Sequence, residues 1–232
     1  MESNHKKTAR LTGILYLLVI ICAGFSQGYV RGTLFVPGDP ETTLVNIVGS
    51  EGLFRLGLVT DLIAFLLDAV ISILLYRLLK EVNKTLAIVA ATFRLLAHPA
   101  IASLNLLNHY MAIETATSGG YLSTLGMEQQ ETWTMLFLQA HNYGYLLAGA
   151  FFGIHCLLLG ILLYKSNLIP NIFGILMVLA AFGYLIETFG NIMMPGKEGL
   201  LANIVGLSAA VGEVSLTFYF LIKGIRNADI KD

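Results

Sequence analysis

The chain has 232 residues, 56% of them hydrophobic and only 12% charged, with a net charge of −1 and a mean hydropathy of +0.74. A soluble domain carries about a quarter charged residues, so half that fraction in long apolar stretches excludes an ordinary soluble fold and points to a membrane protein. The near-neutral balance leaves no basic footprint for nucleic acid. Cys22 and Cys156 both sit inside apolar runs, as small buried hydrophobes rather than a disulfide framework or a zinc site.

A helix needs about 20 apolar residues to cross a bilayer. Six runs qualify, at about 10–30, 53–77, 86–110, 142–164, 170–192 and 200–223. Backbone groups in lipid must be satisfied within a helix or a closed barrel, and runs this long and continuous are helices. The expected architecture is therefore an all-α bundle of six transmembrane helices in one domain, residues 1–232. Short amphipathic helices are expected in the outer loops.

The first run follows "NHKKTAR", which also describes the start of a signal peptide. No small-x-small cleavage pattern follows in 11–25, so the run is read as an uncleaved first span. In "VPGDPETTLVNIVGSEG", Pro37 and Gly38 mark a turn, Asp39 caps a short helix with Pro40 at its first position, and Gly49 and Gly52 end it. The second span carries Asp61 and Asp68 about 20° apart on one face. The third carries Arg94, His98, Asn105 and His109 on a stripe about 60° wide. Pro99 within it removes a backbone donor and kinks the helix.

The segment "TSGGYLSTLGMEQQETWTMLFLQAHNYGY" begins as a loop and continues as a helix. Its Trp133, Tyr143 and Tyr145 suit the membrane interface. His141 and His155 share a face of the fourth span, Glu187 and Asn191 a face of the fifth. In the sixth, Gly206 and Ala210 have small-xxx-small spacing, a close-packing face, and Glu213 follows one turn later. The inner connections "KEVNKT" and "KSNLIP" are short enough to make antiparallel hairpins.

Orientation follows from Lys and Arg placement. One side collects Lys6, Lys7, Arg10, Arg77, Lys80, Lys84, Lys165, Lys223, Arg226 and Lys231. The other holds Arg31 and Lys197, with Arg55 at a span edge. Both termini are expected in the cytoplasm.

A charge at mid-bilayer costs at least about 2.5–3.5 kcal/mol, so such residues are paired or functional. A rise of about 1.5 Å per residue places Asp68, Arg94, His155 and Glu213 about 12 to 15 Å from the inner ends of their spans. This central layer holds one fixed cation, Arg94, which needs Asp68 or Glu213 as its partner. The remaining acid is then a candidate proton or substrate site. An outer layer holds Asp61, Asn105, His109, His141 and Glu187. On this reading Asp61 has no cation at its level. The expected cavity residues are Asp61, Asn105, His141, Asn142, Tyr143, Glu187 and Asn191. No cofactor and no metal are expected. His109, His141, Glu187 and Asp61 come nearest to a ligand set, but no HxxxH or HExxH spacing supports one. A haem held by His98 and His155 is disfavoured by depths that differ by about 5 Å.

The stretches "VPGDP", "FRLGLVTDLI", "YRLLKEVNK", "LQAHNYGYLLAGAFFG", "LLYKSNLIPNIFGILM", "AAFGYLIE" and "VGEVSLTFYFLIKG" resemble the bacterial membrane family known as domain of unknown function 4386, over about Lys7 to Arg226. The resemblance implies a small multi-helix protein of the bacterial plasma membrane and brings no substrate, reaction or cofactor. Asp61, His141, Asn142, Tyr143, Glu187 and Glu213 fall within the family-like stretches, whereas His98, His109 and His155 depart from the pattern. The expected role is binding or transport of a small polar or charged ligand through an outward-facing cavity, more readily than catalysis. The alternatives are a metal-dependent membrane-embedded hydrolase and a structural or regulatory protein without a ligand. The expected partners are the lipid bilayer, a small molecule or ion, and a second copy of the chain.

Overall fold

The computed structural model describes residues 2–118 and 120–226; Lys231, counted above on the inner side, lies outside the described residues. Six helices are long and apolar enough to cross a membrane: α1 His5–Leu34, α3 Glu51–Leu79, α4 Lys84–Thr117, α5 Met127–Lys165, α6 Asn171–Met193 and α7 Glu198–Ile222. A shorter helix, α2 Pro40–Gly49, joins α1 to α3. Asp39 caps α2 by accepting from the Thr42 backbone N–H at 3.0 Å and its hydroxyl at 2.6 Å, with Pro40 in the first turn. Asn83 caps α4 in the same way, accepting from Leu86 N at 2.9 Å.

Each long helix packs on its neighbours in the chain, and the last part of α7 closes the ring on α1. Glycines set the closest approaches. A Cβ on Gly174 of α6 would stand 2.6 Å from Tyr164 N and 2.7 Å from Gly160 O, both backbone atoms of α5. Small residues at such points let helices meet by van der Waals contact where lipid supplies no hydrophobic drive.

Three sequence expectations change. The fourth span, expected over about 142–164, begins at Met127 and runs unbroken through 39 residues as α5. At about 1.5 Å per residue α5 is far longer than a hydrocarbon core of about 30 Å, so its first turns stand clear of it. Gly206 and Ala210 do not form the packing face of α7: Gly206 has open space around it, and Gly212 is the close contact, 2.8 Å from Leu176 O as measured from its ideal Cβ. Tyr145 turns inward, against Phe65, His98 and His141, while Trp133 and Tyr143 stay exposed.

Among the described residues, three spans contain a widened π-helical stretch: Gly24–Arg31 in α1, Leu96–Ala102 in α4 and Ala210–Val214 in α7. In α4 the stretch contains Pro99, whose missing N–H opens the backbone ladder there. Each stretch holds or adjoins a polar group of the interior, namely Gln27 and Arg31, His98, and Glu213. An extra residue per turn re-aims every side chain beyond it, which is how these helices turn polar residues inward.

At the end of the bundle away from the described chain ends, α2 lies over the helices. Leu44 and Ile47 pack with Val30, Leu34, Phe54, Ile113 and Leu138 in one apolar cluster.

Candidate functional site

Two polar networks cross the interior, both anchored on α3. In the deeper one, the Arg94 guanidinium donates to Asp68 Oδ1 at 2.5 Å, Tyr16 Oη at 2.6 Å and His155 Nε2 at 3.1 Å. Its carbon lies 4.5 Å and 5.1 Å from the ring centres of Tyr16 and Phe152. His98 Nδ1 meets the other Asp68 oxygen at 2.5 Å. His155 donates from Nδ1 to the Ala90 carbonyl at 2.9 Å. Of the two acids considered for Arg94, Asp68 is the one bonded to it, and Glu213 is held by the Tyr184 hydroxyl at 2.6 Å. Both ring nitrogens of His155 are thus bonded to protein groups.

The second network corrects the reading of Asp61. It does have a cation at its level. Arg31, assigned above to an outer loop, lies within α1, is buried, and donates from Nη2 to Asp61 Oδ2 at 3.0 Å. The same Nη2 lies 3.0 Å from His109 Nδ1, and Arg31 Nη1 donates to Gln27 Oε1 at 2.7 Å. Gln27 Nε2 donates to Asp61 Oδ2 at 3.1 Å. His109 donates from Nε2 to the Phe54 carbonyl at 3.0 Å and stacks on the Phe54 ring. His141 Nδ1 lies 3.2 Å from the Asn105 carbonyl, an acceptor, and 3.4 Å from the Asn105 amide nitrogen; the shorter contact assigns the ring proton to Nδ1. Asn105 Nδ2 returns a bond to the His141 carbonyl at 2.7 Å. The fit is close, since any Cβ on Gly144 would run into the Asn105 amide.

Two cavities flank this network. One, of about 400 Å³, is bounded by Gln27, Arg31, His109, His141 and Asn142 together with apolar residues near α2. The larger, of about 730 Å³, is enclosed mainly by α5, α6 and the first part of α7. Its walls carry Asn142, Tyr143, Tyr145, Tyr184, Glu187 and Asn191, with Gln27 and His98 from across the bundle. It exists because α7 packs on α1 through Ser215–Ile222 but on α6 through Glu198–Ala209, so the bundle parts between α1 and the start of α7. Gln27 and Asn142 border both cavities.

The expected cavity residues therefore divide. Asn142, Tyr143, Glu187 and Asn191 line the large cavity, and His141 lines the smaller one with Asn142. Asp61 is fully buried behind Arg31 and Gln27, and Asn105 is buried against His141. Neither lines either of these two cavities. Glu187 stands apart from the group formed by Asp61, His109 and His141. The residues missed are Gln27, Arg31, Gln139 and Tyr184, and His98, read above as part of the polar stripe of the third span, also reaches a cavity wall. A buried arginine on an apolar helix could have been sought as the partner of Asp61, since such a charge rarely stays unpaired.

A bundle of six apolar helices with charges paired inside it defines a multi-pass membrane protein. The chain belongs to the family described as domain of unknown function DUF4386, whose sequence profile matches residues 11–224. It is similar to a protein of Archaeoglobus fulgidus described as uncharacterized, with 28% identity over 165 residues, 71% of this chain and 82% of that one. No solved structure matches it.

Proposed function

We propose that this protein binds a small organic cation, a primary or quaternary amine, in the large cavity and carries it across the membrane. The observation behind this reading is the Glu187 carboxylate. It stands on the wall of a cavity of about 730 Å³, and among the described residues no cation or hydrogen-bond donor holds it. A half-buried acid in a membrane interior calls for a partner, and the other acid nearest in kind, Glu213, already has Tyr184. Tyr143, Tyr145 and Tyr184 on the walls offer ring faces for a cation. The amides of Gln139, Asn142 and Asn191 add hydrogen bonds, and among the described residues no Lys or Arg lies on the walls. The volume suits a small molecule.

By the excess of Lys and Arg at the end holding His5 and Arg226, that end faces the cytoplasm of a bacterial cell and the protein resides in its plasma membrane. The large cavity then runs from the outer α6–α7 connection, at Glu198, to mid-bundle at Ala209 and His98.

Thermal unfolding in detergent, with matched panels of amines and carboxylates, tests the reading. An amine at a hundred times its Kd stabilises the folded chain by about 2.7 kcal/mol, and Glu187→Gln removes that gain. Equal stabilisation by carboxylates, or an amine effect that survives Glu187→Gln, overturns it. Proteoliposome uptake of the best amine then tests transport.

A further inference from the structure

Asp61 on α3, His109 on α4 and His141 on α5 each offer one ligand atom, and these atoms lie within 4.8 Å of one another. All three side chains are buried, at 0%, 1% and 1% exposure. Each imidazole is fixed through its other nitrogen by donating to a backbone carbonyl, His109 to Phe54 and His141 to Asn105. Metal-ligating histidines are held in this way, because the outer bond fixes the tautomer and aims the remaining lone pair. The lone pairs so left are those of His109 Nδ1 and His141 Nε2. The first, with Asp61 Oδ2, already converges on one cationic atom: both lie 3.0 Å from Arg31 Nη2. The second has no partner among the described residues, although it is buried in polar surroundings. An internal Arg31–Asp61–His109 network accounts for two of the three groups and gives His141 Nε2 nothing to do.

We infer that Asp61, His109 and His141 form a three-ligand site for a divalent transition metal of the zinc type, and that Arg31 is the resident cation which the metal displaces. Two neutral imidazoles and one carboxylate are a donor set suited to zinc. Bonds of about 2.0–2.2 Å to a tetrahedral ion set the ligand atoms roughly 3.4 Å apart, so the group contracts modestly once the guanidinium leaves. Departure is required by charge, since a dication and a guanidinium repel strongly where the dielectric is low. The route is at hand, because Arg31 and Gln27, its Nη1 partner, both line the cavity of about 400 Å³. His109 and His141 line the same cavity, so the fourth coordination position opens on it, for water or a ligand oxygen. The site uses neither Glu187 nor the tyrosines of the larger cavity and does not rest on the amine reading.

The test is zinc binding by the full-length protein in detergent, stripped with a chelator and titrated with Zn²⁺ alone by calorimetry, with elemental analysis of the product. The expected result is one Zn²⁺ per chain. His141→Gln weakens binding at least about tenfold, and Arg31→Met tightens it by removing the competing cation. A gain of affinity in Arg31→Met at an unchanged stoichiometry of one, in protein whose circular dichroism matches wild type, excludes misfolding, since an unfolded chain would offer its other histidines and its cysteines as extra sites; this guards against misreading the His141 variant. Wild-type protein that takes up no Zn²⁺, or His141→Gln that binds as tightly as wild type, overturns the site. Unchanged affinity in Arg31→Met overturns the role given to Arg31.

Discussion

Replacing Arg94 with Met keeps side-chain length and removes the charge at the centre of the deeper network. Arg94 is 1% exposed, as is the side chain of its partner Asp68, so the substitution leaves a buried carboxylate with His98 as its remaining partner. Lost with the guanidinium are the ion pair at 2.5 Å, the bonds to Tyr16 and His155 at 2.6 and 3.1 Å, and two cation–ring contacts. Breaking a buried pair by removing one partner costs about 3–5 kcal/mol, chiefly through the charge left behind. The double variant Arg94→Met with Asp68→Asn removes that charge as well. It should lie closer to wild type than Arg94→Met alone, by at least about 1 kcal/mol, since hydrogen bonds between neutral groups contribute about that much each. Reversible unfolding in mixed detergent–SDS micelles, followed by far-ultraviolet circular dichroism, measures both. An Arg94→Met protein within about 1 kcal/mol of wild type would refute the reasoning, as would a double variant whose loss equals the sum of the singles, because independent sites add and coupled ones do not.

Gly174→Ala places a methyl group against Tyr164 N and Gly160 O. Both are backbone, so α5 and α6 must part, at about 1–3 kcal/mol in the same unfolding assay. Gly206→Ala, with open space around it, should not lower stability, since alanine is the better helix former, while it narrows the large cavity and weakens amine binding in the thermal assay. Asp39 should titrate below the usual carboxylate value, because the Thr42 hydroxyl and then the Thr42 backbone N–H donate to its ionised form. With the folded value depressed, its contribution is complete above the unfolded value of about 3.9 and is lost as pH falls through the folded one. Carboxyl-carbon NMR should show that depression reduced in Thr42→Val.

The helices were legible because lipid permits few alternatives: six long apolar runs fix six spans, and Asp39 before Pro40 marks the start of α2. Asp68 and Arg94 were legible as a layer, since both lie on regular helix at depths that a constant rise predicts. Arg31 was not. Counted at about 1.5 Å per residue from the start of its run, it belongs past the membrane edge. The π-helical stretch Gly24–Arg31 prolongs α1 and turns Gln27 and Arg31 onto Asp61. Nothing in "GFSQGYVR" announces a widened turn as Pro99 does in "LAHPAIA". The cavity walls were half legible for a related reason. Glu187 and Asn191 stood out as polar groups on an apolar helix, whereas Tyr184 reads equally well as packing until its hydroxyl is seen on Glu213.

The two acids of α3 have the same chemistry and different freedom. Each is paired with an arginine from another helix, and in each pair a histidine shares the charge: His98 bonds Asp68, and His109 bonds Arg31. Around Arg94 the tyrosine, the second histidine and the carboxylate close the network, and the cavity beside His155 holds only about 10 Å³. Arg94 has nowhere to go, so this pair fixes α1, α3, α4 and α5 in place and sets His98 on the wall of the large cavity. Arg31 borders a space of about 400 Å³, and its neighbour His141 keeps a nitrogen unbonded. Exchange of one cation for another requires both a place for the first to move and a ligand waiting for the second. Only the Asp61 pair has both, so within α3 Asp68 is a structural charge and Asp61 is the charge that can change partners.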